Sequence, residues 1–102
     1  MAKAATSIRK SSGNVFRDMG FPPDEAAHLL IRADLMIQVE RALSRRRLTQ
    51  VQAAKLLGIS QPRVSDLVRG RIDLFSIDTL VDLLARLGVT VRLKTSASKR
   101  VA

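Results

Sequence analysis

The sequence predicts an all-α fold, a bundle of five to six helices that contains two closely joined helices and is closed by one β-strand. Three observations carry this. Apolar residues recur at helical spacing through most of residues 24–87. Glycine and proline fall between those periodic stretches and hardly ever inside them. Strict alternation of apolar and polar residues occurs once, in "VTVRLKT" near the C-terminus. A chain of 102 residues, 46% apolar, has material for one modest core, so a single domain is expected over residues 15–95.

Residues 1–14, "MAKAATSIRKSSGN", are small, polar and basic without periodicity and read as a flexible arm. Phe16, Met19 and Phe21 then form a short apolar anchor. Pro22 and Pro23 suit the first turn of a helix, and Asp24 and Glu25 suit its positive end. From Asp24 to about Arg46 no Gly or Pro interrupts the pattern of Leu29, Leu30, Ala33, Met36, Ile37, Val39, Ala42 and Leu43. This is one long helix, or two joined end to end. The cations of "SRRR" complement its C-terminal dipole.

Thr49 can cap a helix running to Leu57, with Gly58 at its left-handed end. Ser60 can cap the next, with Pro62 in its first turn and Gly70 beyond its end. Ser76 caps the last, whose apolar stripe is Ile77, Leu80, Val81, Leu84 and Leu87, and Gly88 ends it. In "VTVRLKT", Val89, Val91 and Leu93 mark the inner side of a half-buried strand. Residues 96–102 read as a flexible tail.

The composition excludes much. There is no cysteine, hence no disulfide, thiol nucleophile or Cys-based zinc site. The single histidine, His28, lies in an apolar helical stretch, and Asp24, Glu25, Asp34 and Glu40 have no metal-ligand spacing. No Gly-rich phosphate loop follows a strand. No enzyme activity, metal or cofactor is expected. Without Tyr or Trp, and with three Phe, the chain has no aromatic platform for single-stranded nucleic acid. No apolar run approaches the roughly 18 residues that span a bilayer, and the first residues lack the apolar stretch of a secretory signal. A cytoplasmic protein is the plain expectation.

The net charge of +9 is unevenly placed. Residues 44–71 hold seven Lys or Arg against one Asp. A basic block on a folded helix pair suits a polyanion, where a solvated surface is the bland alternative. The same block contains the tightest junction of the chain, "LLGISQ". Two helices joined through so short a Gly-containing turn cross steeply, so one can bridge a DNA backbone while the other enters the major groove. In the first helix Val51, Ala53, Ala54 and Leu57 form the expected inner side; in the second, Val64, Leu67 and Val68 do. Outward on the second stand Gln61, Pro62, Ser65, Asp66 and Arg69, with Arg63 at the edge and Ser60 at the start. Gln can pair with adenine, Arg with guanine and Ser with several base edges. Thr49 and Gln50, opening the first helix, can offer a phosphate side chains and free N–H groups. Arg69 and Arg71, with Arg45, Arg46, Arg47 and Lys55, are placed as phosphate contacts.

"LTQVQAAKLLGISQPRVSDLVRGR" resembles the helix-turn-helix of the Cro and phage-repressor, or XRE, family, and flanking helices extend the likeness to about residues 34–88. The resemblance implies a bundle of about five helices binding as a dimer to two DNA half-sites. It implies that Gln50 meets the backbone and Gln61 reads a base. Pro62 departs from the pattern, since phage repressors often carry a long polar base reader there. Asp66 is also unusual: it either accepts from a cytosine amino group or pairs with Arg63 or Arg69. The whole layout, from "NVFRDMGFPPDEAAHLLIRADLMIQVERAL" to "VTVRL", is similar to small HigA-type antitoxins. That implies a toxin protein as partner and repression of the protein's own operon; the alternative is a stand-alone regulator.

A lone strand leaves backbone groups without partners and is an aggregation hazard. Antiparallel pairing of the same strand from a second subunit, through Val89, Val91 and Leu93, resolves this. It also sets two reading helices about 34 Å apart on a palindromic operator of double-stranded DNA. Pairing with the N-terminal segment or with a strand of a toxin are the other options.

Overall fold

The computed structural model describes residues 14–97. Of the expected arm it includes Asn14 alone, and of the expected tail Ser96 and Ala97; the remainder of both lies outside the described residues.

A single turn of helix, α1 (Val15–Asp18), opens the structure. Asn14 Oδ1 accepts from the N–H groups of Phe16 and Arg17 at 2.9 and 3.3 Å, and Asn14 Nδ2 donates to Ala26 O at 3.0 Å. One side chain thus caps α1 and ties it to the following helix. Edge-to-face packing of Phe16 and Phe21, with ring centroids 6.1 Å apart, closes the corner. Helix α2 (Pro23–Arg46) is continuous over 24 residues, so the question of one helix or two is settled as one. Pro22 stands at its N-cap and Pro23 in its first turn, and it ends at Arg47, whose left-handed backbone (φ 52°) breaks the helix without a glycine.

Two helices of eight residues each, α3 (Gln50–Leu57) and α4 (Gln61–Val68), follow and pack on each other. Gly58, at φ 72°, takes the left-handed position that ends α3, and its N–H donates to Ala54 O at 2.8 Å. A 3₁₀ turn (Ile72–Leu74) leads to α5 (Ile77–Arg86), capped by Ser76. Helix α2 runs along α5 as the spine of the bundle, and the core between them and the helix pair is Met36, Val39, Ala42, Leu57, Leu67, Phe75, Leu80, Leu83, Leu84 and Leu87. The five α-helices among the described residues agree with the all-α expectation.

The expected β-strand is not formed: among the described residues there is no strand. A strand exists through hydrogen bonds to a neighbour, and nothing in the described chain lies alongside residues 89–95 to supply them. Val89 N–H instead donates back to Leu84 O at 2.8 Å, finishing α5. Val89 and Val91 pack against the edge of the core, whereas Leu93 is 87% exposed.

The inner faces also differ in detail from the sequence pattern. Val51 is 52% exposed and Val68 49% exposed, and Ile37 in α2 lies at the surface. A two-turn helix has room for only a few core-facing residues, here Ala53 and Leu57 in α3 and Val64 and Leu67 in α4. Val68 borders a half-open crevice of about 200 Å³ between α2, α3 and α4, lined also by Leu43, Leu48 and Val64.

Candidate nucleic-acid interface

The start of α3 is held by a reciprocal pair of bonds. Thr49 Oγ1 accepts from Gln52 N–H at 3.1 Å, and Gln52 Oε1 accepts from Thr49 N–H at 2.9 Å. This capping box fixes the first turn and leaves the N–H groups of Gln50 and Val51 at the open, positive end of the helix. Thr49 and Gln50 are both exposed there. An anion placed at that end meets free donors and a favourable dipole.

Helix α4 starts from Ser60, whose Oγ accepts from Arg63 N–H at 3.4 Å. Ser60, Gln61 and Pro62 are exposed, Ser65 and Asp66 are half-buried, and Arg69 caps the C-terminal end in the open. The short turn from Gly58 to Ser60 joins the exposed start of α3 and the polar face of α4 in one helix pair. Beyond α4, Gly70 at φ 73° turns the chain, and Arg71 N–H donates to Asp66 O at 3.1 Å. The Arg71 side chain lies 3.6 Å from Asp73, with both largely in solvent, a weak pairing that leaves Arg71 free to exchange Asp73 for a stronger anion. Asp66 makes no ion pair with Arg63 or Arg69 among the described residues. Of its two expected uses, that one is absent.

Arg63 is engaged by the connection that follows α4. Its guanidinium carbon lies 4.1 Å from the centre of the Phe75 ring, and its Nη1 donates to Leu74 O at 3.0 Å. Arg32, from α2, donates to Ile72 O at 3.3 Å on the other side of the same turn. Neither bond is visible in local patterning, because each joins residues far apart in sequence. The one available signal was Phe75 itself, the single aromatic residue in the connection between α4 and α5. It is 1% exposed and belongs to the core.

No group of side chains able to hold a metal ion occurs among the described residues. Nor is any described helix long and apolar enough to cross a membrane.

Together, the capped α3, the tight turn and the outward-facing α4 define a helix-turn-helix domain. A helix-turn-helix domain family model matches residues 15–96. The solved structure of a "Putative XRE Family Transcriptional Regulator" superposes with a TM-score of 0.68 at 31% identity, over 76% of this chain and 88% of that one. No curated protein is similar enough to match. The chain belongs to the XRE-type helix-turn-helix family.

Proposed function

We propose that this DNA-binding regulator recognises a palindromic operator as a homodimer, with α4 in the major groove and the start of α3 on the adjoining backbone. The supporting observation is that α4 presents exposed Gln61 and Pro62 with half-buried Ser65 and Asp66, and is joined through the short turn at Gly58 to α3, whose exposed N-terminus carries Thr49 and Gln50, inside the most cationic part of the chain. Gln61 and Ser65 are then base readers and Asp66 accepts from a cytosine amino group, while Arg69 and Arg71 meet phosphates. If half of the flanking cations meet phosphate, two subunits make about six contacts and log K falls against log salt with a slope near −5. A titration on duplex DNA at several salt concentrations measures this; a slope near zero rejects the reading.

For the dimer, the support is the segment after α5. Leu93 stands in solvent, and Val89 and Val91 border an apolar groove with Val81 and Ala85. Paired antiparallel with its symmetry mate, the segment gains the ladder it lacks within one chain and covers Leu93.

The finer role is that of an antitoxin, neutralising a toxin protein and repressing its own operon. It is supported by the α1 corner, which leaves Val15 and Met19 47% and 67% exposed, more apolar surface than an operator binder requires. A stand-alone regulator is the alternative. Co-expression with the product of the adjoining reading frame, followed by pull-down, separates the two: an antitoxin retains that product, a stand-alone regulator does not.

A further inference from the structure

We propose that Arg63 is the positioning residue of the reading helix: through Phe75 and the Leu74 carbonyl it sets the pose of α4 and of the turn after it, and it contacts no base itself. The proposal rests on the operator-binding reading and assigns Arg63 a part in it different from that of Gln61.

Arg63 has two partners, and they are fixed by different means. Phe75 is part of the core, so the ring beneath the guanidinium cannot follow the side chain outward. Leu74 O belongs to the 3₁₀ turn and takes the Nη1 proton at 3.0 Å. A guanidinium suits both at once, since such a group can lie over a ring and donate from its edge at the same time. To reach a base edge, Arg63 would give up the stack and leave a backbone carbonyl without its donor.

The turn it grips directly follows Arg71, one of the proposed phosphate contacts. Ile72–Leu74 is held from α2 by Arg32 at Ile72 O and from α4 by Arg63 at Leu74 O. Arg71 directly precedes this turn, and its N–H is bonded back to Asp66 O in α4. Helix α4, the turn and the core residue Phe75 therefore form one braced unit. Releasing Arg63 lets the unit loosen, which affects Gln61, Ser65 and Arg71 together and singles out no base.

The test compares Arg63→Lys, Arg63→Gln and Phe75→Leu on the operator and on a set of single-base variants of it, with the slope against salt measured for each. The expected result is a loss of about tenfold for either Arg63 variant, the size of one charged hydrogen bond, shared equally by every base variant. The salt slope stays within about one unit of the parent. Phe75→Leu produces the same uniform loss, and combining it with Arg63→Gln adds little, because the two residues act as one. Three results overturn the proposal: Arg63→Gln erases discrimination at a single base pair, Arg63→Lys binds as well as the parent, or the losses at Arg63 and Phe75 multiply. Should Phe75→Leu fail to fold, the contrast between the two Arg63 variants still decides. Absence of any duplex binding by the parent protein sinks the operator reading instead. The brace is then judged by amide hydrogen exchange at residues 72–76, where unchanged protection in Arg63→Gln overturns it.

Discussion

A Cβ built on Gly58 would stand 3.0 Å from Arg86 Nη1, so the turn between α3 and α4 is closed over by the last residue of α5. The contact itself is forgiving, because the guanidinium is the far end of a flexible side chain. The backbone is not: at φ 72° any L side chain is strained. Gly58→Ala is therefore expected to cost about 1–2 kcal/mol, mostly from the backbone. Gly58→Asn should cost less, since Asn tolerates this conformation better. Chemical denaturation of both variants checks the order. An alanine variant as stable as the parent shows that the turn relaxes.

The capping box at Thr49 separates stability from binding. Thr49→Ala removes the acceptor for Gln52 N–H and should cost about 1 kcal/mol, lowering Tm by about 4–8 °C. Ser76→Ala removes the equivalent cap of α5, where Ser76 Oγ accepts from Thr79 N–H at 3.1 Å, and should cost about as much. Only the first loosens the helix end that carries Gln50. Equal Tm losses with weakened DNA binding for Thr49→Ala alone are the expected pair of results. Equal binding would show that α3 does not face the DNA.

Gln61→Ala should leave the unfolding free energy within about 0.5 kcal/mol of the parent, because the side chain is exposed. On the operator it should weaken binding by about 1–3 kcal/mol and relax preference at one base pair. Fluorescence anisotropy on the operator and its single-base variants measures both. Unchanged preference would move base reading to another residue.

Val91→Pro deletes one backbone donor from the segment after α5 and should convert dimer to monomer, with the helical circular dichroism retained. Sedimentation equilibrium gives the answer. A variant that remains dimeric places the subunit contact elsewhere.

Helix boundaries were legible because they are written in local chemistry. Thr49, Ser60 and Ser76 announce the starts of α3, α4 and α5, and Gly58 and Gly88 lie just past helix ends at positive φ. Three features were not legible. Helix α2 ends at Arg46 as expected, but its left-handed cap at Arg47 was hidden, because arginine has no propensity for that conformation. The outward placement of Val51 and Val68 follows from the shortness of the two helices, which periodicity does not encode. The turn of Arg63 toward Phe75 depends on a partner twelve residues away in sequence, brought close by the packing of the 3₁₀ turn. The strand expected at residues 89–95 had the right alternation, but alternation describes a side-chain pattern and not a bonding partner.

The two jobs of Asn14 are done by two atoms of one amide, which makes the junction of α1 and α2 sensitive to a chemical change of a single group. Deamidation to aspartate would keep the oxygen that caps α1, and its charge would suit the helix end. The same change would remove the donor that reaches Ala26 O and set a carboxylate against that carbonyl. Ageing at this one position would keep the cap of α1 and lose the bond from Asn14 to Ala26 O.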